Sequence, residues 1–376
     1  MRVIHFSDTH LGFQAFDVVN AEGVNAREQD VYDAFVQVVD RVLDLKPDVV
    51  VHSGDFFHRP SPSNRALTFG LEQLRRICDI NIPVVIIAGN HETPKTIYNS
   101  PILRAFRSLD CVVPVFGETW EQAVFGDLVV HGVPHINDNR LLFRELERMQ
   151  PQPDKFNMLL LHTSLGKRFL MEEYGEQVFP EAFESKLQDF QYIALGHWHN
   201  YQQIDVHPNA WYSGSIERLS DTEVGTEKGF LVLDIDKNGA CPVAFEAIRT
   251  RPWLKLDLND CQSKTVAQLL SDMEQFRDAH TTTDAIISLN INDIKVEQTL
   301  ELSNTVLREV FPDCFQLVVK RKSFADRAFV HSIEANQFDR LDRIFSEYVR
   351  SKYPDDAATA ERITDRAQRY FADTEK

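Results

Sequence analysis

The sequence contains no long apolar run. No stretch approaches the roughly 18 consecutive apolar residues that a membrane-spanning helix needs. The first six residues lead directly into the polar segment 7–10 (Ser-Asp-Thr-His), whereas a secretory signal peptide would continue into an apolar core. The sequence therefore predicts a cytoplasmic protein without a membrane span.

Cysteine is scarce and widely spaced. The five cysteines form no C-x-x-C pair, and their number is odd: Cys78, Cys111, Cys241, Cys261 and Cys314. Disulfide frameworks are typical of short secreted chains with an even number of cysteines, and zinc knuckles need cysteine pairs a few residues apart. Neither arrangement is indicated, so we expect five buried, reduced thiols.

The sequence also has too little positive charge for a broad basic face. Its lysine and arginine residues number 40 against 57 aspartate and glutamate residues, which gives a formal net charge of -17. This balance argues against a protein that holds nucleic acid through such a face, because that mode depends on neutralising phosphates. Carboxylates used by a metal site, a basic partner subunit, or the local cluster 320–322 (Lys-Arg-Lys) would weaken this objection.

What the sequence does contain is an alternation of short apolar strands with amphipathic helices. Strands are predicted at 3–6, 49–52 and 84–88, and helices between them at 27–45 and 65–78. Later segments, up to about residue 235, are richer in strands. This order predicts an α/β protein whose residues 1–249 form a four-layer α/β/β/α sandwich.

The pattern changes after residue 249. A strand, helix, strand, helix, strand order predicts a small second α/β domain over residues 250–333, in which 296–311 is expected to be one helix. The tail, 334–376, is predicted to form two amphipathic helices that break at 354–356, and such a pair either packs on its own chain or docks on a partner. The first of these helices carries one apolar stripe, made of Phe338, Leu341, Phe345 and Tyr348.

Polar residues follow the predicted strands at the points where the strands end. Open α/β folds gather their ligands at the carboxyl ends of strands, so these side chains are expected to converge. Seven of them are candidate metal ligands: Asp8, His10, Asp55, Asn90, His162, His197 and His199. A set balanced between carboxylate, amide and imidazole suits manganese, iron or zinc better than magnesium, and Asp55 is placed to bridge two ions.

The motifs that carry these residues resemble a known superfamily. Their order, D-x-H, G-D-x-x-H, G-N-H-E, H and G-H-x-H, is similar to that of the calcineurin-like metallophosphoesterases. Within that superfamily, His58, the segment 212–218 and the later 228–230 (Lys-Gly-Phe) look like the SbcD-type nucleases of DNA double-strand-break repair. The motifs cover roughly residues 1–235, and the second domain and the tail resemble that family's capping domain and ATPase-docking helices in order and size.

The resemblance implies how the seven ligands are divided. One metal ion would be held by Asp8, His10, Asp55 and His199, and the other by Asp55, Asn90, His162 and His197, with Asp55 as the bridge. It also implies two catalytic histidines. His91 would protonate the leaving oxygen or stabilise the transition state, and His58 would orient the scissile phosphate or assist His91.

The remaining histidines are expected to be structural, because an isolated histidine is more often part of the core or surface than of a site. This group comprises His5, His52, His131, His135, His207, His280 and His331.

The function that the resemblance implies is a manganese-dependent DNA nuclease with two-metal phosphodiester hydrolysis. It would have 3′–5′ exonuclease and single-strand endonuclease activity within a double-strand-break repair complex. Its partners would be DNA, an SbcC-like coiled-coil ABC ATPase bound by the C-terminal helices, and a second copy of the chain through helices at 67–74 and 102–109. Two alternatives stay open, a small-molecule or phosphoprotein phosphoesterase and a non-catalytic repair or replication scaffold. A separate cap and tail favour the nuclease.

Overall fold

The chain is divided into two compact units. The computed structural model describes residues 1–96, 100–166, 177–323, 341–354 and 356–374. The first unit is Met1–Arg251 and the second is Pro252–Lys376. Within the described residues, every helix is too short or too polar to cross a membrane.

The first unit begins with alternating strands and helices and continues with mostly strands. Its strands and α-helices, in order, are β1 (Arg2–Phe6), α1 (Ala26–Leu45), β2 (Val49–His52), α2 (Asn64–Cys78), β3 (Val84–Ile87), β4 (Val112–Val115), β5 (Glu121–Phe125), β6 (Leu128–Val133), α3 (Asn139–Arg148), β7 (Phe156–His162), β8 (Tyr192–Gly196), β9 (Gln202–Gln203), β10 (Ala210–Tyr212), β11 (Gly229–Asp234) and β12 (Val243–Ala247). Short 3-10 helices cover Ile102–Ser108, Glu181–Asp189 and Asp221–Glu223. The predicted helices at 27–45 and 65–78 are confirmed to within one residue, whereas β4, β5, β9 and β12 were not predicted.

Local capping explains where the first two helices begin. The side-chain oxygen of Asn25 accepts a hydrogen bond from the backbone N–H of Arg27 and so caps α1. Helix α1 ends at Leu45, and the next residue, Lys46, adopts the left-handed conformation with φ 46°. The hydroxyl of Ser63 caps α2 in the same way, by accepting from the backbone N–H of Ala66 at 3.1 Å. Each helix therefore begins at a residue whose side chain satisfies an otherwise unpaired backbone donor.

The strands form two mixed sheets of six strands. The first sheet has the order β12-β11-β1-β2-β3-β4, in which β1 to β4 are parallel and β11 and β12 are antiparallel to their neighbours. The second has the order β5-β6-β7-β8-β10-β9, in which β6, β7, β8 and β10 are parallel. Each sheet thus has a parallel centre, and the carboxyl ends of its central strands lie along one edge.

The two sheets pack face to face with helices outside. Strand β1 places Val3 in the core between the sheets and Ile4 in the core beneath α1 and α2. Strand β7 likewise directs Met158 to the inner core and Leu159 to the core beneath α3. This alternation is the period of two that a strand buried on both faces requires. The predicted four-layer α/β/β/α sandwich is confirmed.

A disulfide bond corrects the cysteine prediction. Cys78, the last residue of α2, is bonded to Cys111, which precedes β4, with their Cα atoms 5.4 Å apart. The sequence did not indicate this pair, because 33 positions separate the two residues and only the packing of α2 beside β3 and β4 brings them together. The expected buried thiols are confirmed at Cys241, Cys261 and Cys314.

The second unit contains a three-stranded parallel sheet. Its strands and α-helices up to residue 323 are β13 (Trp253–Leu258), α4 (Val266–Ala279), β14 (Ile286–Ile294), α5 (Val296–Glu301), α6 (Asn304–Val310) and β15 (Gln316–Ser323). The predicted strand and helix order is confirmed, but the single helix expected over 296–311 is wrong. It divides into α5 and α6 because the hydroxyl of Ser303 accepts from the backbone N–H of Val306 and starts a new helix.

The described part of the tail contains two helices, as predicted, α7 (Leu341–Lys352) and α8 (Ala357–Thr374). They pack on each other, and Val349 of α7 and Ala360 of α8 are buried. Tyr348 of the predicted stripe is 41% exposed. Phe338 of that stripe, the tail residues 334–340 and His331 lie outside the described residues, as does the side chain of Leu341.

Candidate metal centre

The predicted ligands meet at one end of the first unit. Strands β1, β2 and β3 are parallel neighbours, so the loops that carry Asp8, Asp55 and Asn90 lie side by side. In the other sheet, β7 ends at His162, and β8, its parallel neighbour, is followed directly by His197. With His10 and His199 two positions further along their loops, all seven predicted ligands come together at this end.

The backbone at the site is strained in a consistent way. Four of the predicted ligands have a positive φ, namely Asp8 (50°), His10 (49°), Asp55 (57°) and His197 (99°). Residues other than glycine rarely adopt this conformation, and it persists only where surrounding structure imposes it. The loops are therefore shaped to aim particular side chains at one point, at a cost in local stability.

Two glycines are required by the closeness of neighbouring loops. At Gly54, which has φ 101°, an added Cβ would collide with the ring of His162. At Gly89, an added Cβ would collide with the carboxylate of Asp55. The glycines of the G-D and G-N-H motifs thus allow ligands from different strands to approach each other.

The first ligand cluster comprises Asp8, His10, His199 and the shared Asp55. The Nε2 atoms of His10 and His199 are 3.3 Å apart, and each lies 4.0 Å from Oδ1 of Asp8. Oδ2 of Asp55 is 3.7 Å from Nε2 of His10. Asp8 and His10 are buried, whereas the side chain of His199 is 28% exposed. The cluster is therefore open to solvent on the side of His199, which is called its open side below.

The second ligand cluster comprises Asn90, His162, His197 and again Asp55. Nε2 of His162 lies 3.1 Å from Oδ2 of Asp55 and 3.0 Å from Oδ1 of Asn90. Nδ1 of His197 lies 3.2 Å from the same oxygen of Asn90. The Oδ2 atom of Asp55 therefore contacts both clusters, which is the arrangement expected of a ligand that bridges two ions.

The hydrogen bonds of His162 test whether this donor set fits a cation. Nδ1 of His162 is 2.8 Å from the carbonyl oxygen of Ser53, which can only accept, so Nδ1 carries the proton. Nε2 then faces the oxygens of Asp55 and Asn90. These two oxygens favour a positive charge at Nε2, which a proton supplies in the metal-free ring and a divalent metal ion would supply when bound, so the ligand atoms fit a cation.

The pKa values of the buried ligands follow from the same crowding. Burial alone would lower the pKa of His162, but the neighbouring Asp55 raises it to about 9. Burial opposes ionisation of Asp55, yet His162 lowers its pKa well below the ordinary value. Burial lowers the pKa of His10 far below the ordinary value, and Asp55 offsets only part of this effect. Asp55 is therefore ionised and His10 is neutral, which are the forms that bind metal.

The two predicted catalytic histidines lie at the open side of the site. Nδ1 of His91 donates to the carbonyl oxygen of His58 at 2.9 Å, and its Nε2 lies 4.0 Å from Oδ2 of Asp55. The ring of His58 stacks on that of His91 with centroids 5.1 Å apart, and its Nδ1 is 3.3 Å from Nδ1 of His10. His91 is thus oriented by its neighbour, with Nε2 on the side of Asp55.

Glu92 stands in the G-N-H-E motif, but the sequence assigned it no role in the site. Its buried carboxylate accepts from the backbone N–H groups of Asp55 at 3.1 Å, Phe57 at 3.1 Å and Gly89 at 3.0 Å, and also from that of Phe56. It therefore joins the loop after β2 to the loop after β3. Burial and the nearby charge of Asp55 raise the pKa of Glu92 to about 8. No local sequence pattern predicts these hydrogen bonds, because the donors come from two separate loops.

Glu223 and Lys228 were likewise not predicted as part of the site. Both are buried and form an ion pair beside His199. Burial opposes ionisation of Glu223, but its hydrogen bond with His199 lowers its pKa to about 2. Their sequence positions fall after the last histidine motif, and no spacing relates them to it.

Several histidines expected to be structural are found in ordinary packing contacts. His5 is buried between the hydroxyls of Tyr192 and Ser53, at 3.0 Å and 2.9 Å. His131 contacts Asn157 at 3.0 Å, and His280 is exposed in the second unit. These residues contact none of the seven predicted ligands through the hydrogen bonds that the structure describes.

Comparison with known proteins is consistent with this geometry. Residues 1–201 of the 376-residue chain match the family described as calcineurin-like phosphoesterase. The chain belongs to the calcineurin-like phosphoesterase family. The expected superfamily and the expected class of phosphoester hydrolase are therefore confirmed. The family implies divalent metal ions, and the structure offers candidate groups of metal-binding side chains at this site.

Archaeal relatives within this family carry a more specific name. The chain is 26% identical to a protein of Methanococcus maripaludis named DNA double-strand break repair protein Mre11, over 94% of this chain and 92% of that protein. It is 31% identical to a protein of the same name from Sulfurisphaera tokodaii, over 60% of this chain and 57% of the relative. A third, from Thermoplasma acidophilum, is 27% identical over 79% of each chain. The similarity thus extends beyond the phosphoesterase segment.

Proposed function

We propose that this calcineurin-like phosphoesterase is a manganese-dependent DNA nuclease of a double-strand-break repair complex. It would hydrolyse phosphodiesters with two metal ions and act as a 3′–5′ exonuclease and a single-strand endonuclease. The observation that carries the two-metal proposal is the position of Asp55, whose Oδ2 atom contacts His10 of one cluster and His162 of the other. The archaeal relatives support DNA as the substrate.

The distances support a division of the ligands around Asp55. We assign one ion to Asp8, His10, Asp55 and His199, and the other to Asp55, Asn90, His162 and His197. The two imidazoles of the first set and the amide of the second are softer and less charged than a cage of carboxylates. This mixture favours manganese over magnesium.

The protein residues around the scissile phosphate have separable tasks in the proposed reaction. Two bound divalent ions would activate a water molecule and neutralise charge on the phosphate oxygens. His91, with Nδ1 tied to the carbonyl of His58, has Nε2 on the side of Asp55 and would donate a proton to the leaving oxygen. His58 would hold the His91 ring by stacking and orient the phosphate.

The second unit supports a large substrate and a protein partner. The alignment with the Methanococcus maripaludis protein covers 94% of this chain and so includes most of the second unit. We assign residues 1–249 to the nuclease domain, 250–333 to a capping domain and 334–376 to helices that dock an SbcC-like coiled-coil ABC ATPase. Tyr348 of α7 and Tyr353 just after it are 41% and 42% exposed, which supports a docking surface.

We also propose that the protein is a homodimer in which α2 and the 3-10 helix Ile102–Ser108 contact their counterparts. Leu67 and Leu71 of α2 remain partly exposed, as a surface buried in a dimer requires. Light scattering at micromolar concentration should give twice the chain mass. A monomeric mass would refute the dimer.

A second candidate function rests on the charge of -17. A chain this acidic is better suited to small phosphoesters or phosphoproteins than to DNA, unless a partner supplies positive charge. The non-catalytic scaffold is disfavoured, since a protein without turnover has no need of a complete ligand set beside His91.

Cleavage assays with added manganese distinguish these functions. The substrates are a linear duplex labelled at either end, a circular single strand and a chromogenic phosphodiester, each incubated with wild type, His91→Ala, Asp55→Ala and the exposed control His280→Ala. We expect wild type and His280→Ala to degrade DNA. His91→Ala should bind manganese yet lose at least about 100-fold in rate, and Asp55→Ala should lose metal binding itself.

The outcomes separate the candidates. Shortening from the 3′ end and opening of the circle would support both nuclease activities. Turnover of the small diester with DNA left intact, including in the presence of the ATPase partner, would support the small-substrate phosphoesterase. Failure of wild type to bind any transition metal would refute the two-metal proposal.

A further inference from the structure

A buried ion pair lies directly behind one of the proposed metal ligands. Glu223 and Lys228 are each only 2% exposed, and the carboxylate Oε2 of Glu223 contacts Nζ of Lys228. A buried lysine or glutamate is costly unless its charge is compensated by a partner and by further hydrogen bonds. The contacts that compensate this pair converge on His199.

Glu223 holds the side chain of His199. Its Oε1 lies 3.1 Å from Nδ1 of His199 and also accepts from the backbone N–H groups of Leu219 at 3.1 Å and Ser220 at 3.2 Å. The carboxylate is therefore anchored by the main chain before it meets the imidazole. Because a carboxylate oxygen can only accept, Nδ1 of His199 must carry the proton.

Lys228 holds the backbone of the same residue. Its Nζ donates to the carbonyl oxygen of His199 at 2.7 Å and to the hydroxyl of Ser215 at 2.9 Å. The hydroxyl of Ser215 in turn lies 3.0 Å from Oε2 of Glu223. The ion pair thus contacts His199 at two points: Glu223 binds the ring and Lys228 binds the main chain.

We propose that Glu223 and Lys228 form a positioning pair that fixes the orientation and tautomer of His199 for metal binding, an inference that rests on the proposed assignment of His199 as a ligand. With Nδ1 protonated, the lone pair is on Nε2, the atom that faces Nε2 of His10 at 3.3 Å and Oδ1 of Asp8 at 4.0 Å. Partners of this kind behind a metal-binding histidine typically change metal affinity 10-fold to 100-fold.

The contacts of the pair are specific to the first ligand cluster. Glu223 and Lys228 both contact His199. His162 of the second cluster instead donates Nδ1 to the carbonyl oxygen of Ser53, so it is oriented by the main chain. Loss of the pair should therefore lower the affinity for the metal ion of the first cluster and leave the affinity for the other ion unchanged.

Calorimetric titration of manganese into the metal-free full chain tests this asymmetry. Wild type should bind two equivalents. In Glu223→Ala the affinity of one of these two binding events should fall about 10-fold to 100-fold, and the affinity of the other should be unchanged. Glu227→Gln, an exposed change in the same loop, should match wild type in both. Two equivalents of wild-type affinity in Glu223→Ala would overturn the proposal.

A paired substitution tests the hydrogen bond itself. Glu223→Gln keeps an oxygen for Nδ1 of His199 but turns its amide N–H groups towards the ammonium of Lys228, so affinity should fall. Adding Lys228→Met removes that conflict and leaves the hydroxyl of Ser215 to accept from the amide, so the metal affinity should recover in part, to above that of Glu223→Ala. It should stay below that of wild type, because the contact of Lys228 with the carbonyl oxygen of His199 is lost. A double variant as weak as Glu223→Ala would contradict the hydrogen-bond argument.

A measurement on wild type tests the proposal even if the variants of the buried pair do not fold. Long-range proton–nitrogen NMR of the metal-free protein at alkaline pH, where the ring is neutral, should show the Nδ1–H tautomer for His199, assigned by comparison with His199→Ala. An Nε2–H tautomer would overturn the proposal. Wild type that binds two metal ions without cleaving DNA would refute the nuclease alone, whereas wild type that binds no metal would refute both.

Discussion

Replacing Glu92 by glutamine changes one buried atom while keeping the shape of the side chain. Oε2 of Glu92 accepts from the N–H groups of Asp55 and Gly89, and Oε1 accepts from those of Phe56 and Phe57. An amide has one acceptor oxygen and one NH2 group. In either orientation the variant therefore sets its NH2 group against two backbone donors.

The magnitude follows from those two donors. A buried donor left without an acceptor costs about 1–3 kcal/mol, so Glu92→Gln should lower the free energy of unfolding of the first unit by about 2–6 kcal/mol. The raised pKa of Glu92 does not remove this difference, because a protonated carboxyl oxygen keeps lone pairs that an amide nitrogen lacks. For a unit of this size, about 2 kcal/mol corresponds to a melting temperature about 4–8 °C lower.

Two measurements check the prediction. Calorimetric melting of wild type, Glu92→Gln and the exposed control Glu118→Gln gives the global effect. Hydrogen exchange of the peptide that spans 55–57 gives the local one, since about 2 kcal/mol of lost protection accelerates exchange about 30-fold. A variant that melts within about 1 °C of wild type, with unchanged exchange in this peptide, would refute the reasoning.

Two further predictions concern stability. Burial lowers the pKa of His5 to about 3, so the folded state binds fewer protons than the unfolded state between about pH 6.5 and 3. The free energy of unfolding should therefore decrease as the pH is lowered through this window, by up to about 1.4 kcal/mol per pH unit. Denaturant titrations at several pH values give this dependence, and an equal dependence on pH in wild type and His5→Gln would contradict the prediction. Reducing the bond between Cys78 and Cys111 should cost about 3–4 kcal/mol, from the entropy of a loop closed over 33 positions. Unchanged melting of Cys78→Ser/Cys111→Ser would argue that the bond contributes nothing.

The fold of the first unit was predictable where periodicity and capping agree. Helix α1 has both an apolar face and the Asn25 cap, and its predicted bounds differ from the observed ones by one residue. Strand β12 was missed because Val243–Ala247 is half-exposed and carries a weak apolar signal. The single helix predicted over 296–311 failed because the Ser303 cap outweighs the continuous helical pattern. A single capping side chain can therefore divide a segment whose apolar periodicity predicts one continuous helix.

The convergence of the seven predicted ligands was predictable from the sequence. Asp8, Asp55 and Asn90 follow parallel neighbouring strands, so their convergence follows from chain order once the sheet is known. Glu92 and Glu223 were not predictable. Each is defined by hydrogen bonds to groups that only folding brings within reach.

The sequence by itself determined which chemical groups the protein presents and at which strand ends they lie, because motif order and periodicity are properties of neighbouring residues. Only the tertiary structure decided that one oxygen of Asp55 contacts both ligand clusters, that Cys78 reaches Cys111, and that an ion pair lies behind His199. These features depend on distances of a few ångströms between distant parts of the chain. Such distances are set by the packing of two sheets against each other, which no local pattern encodes.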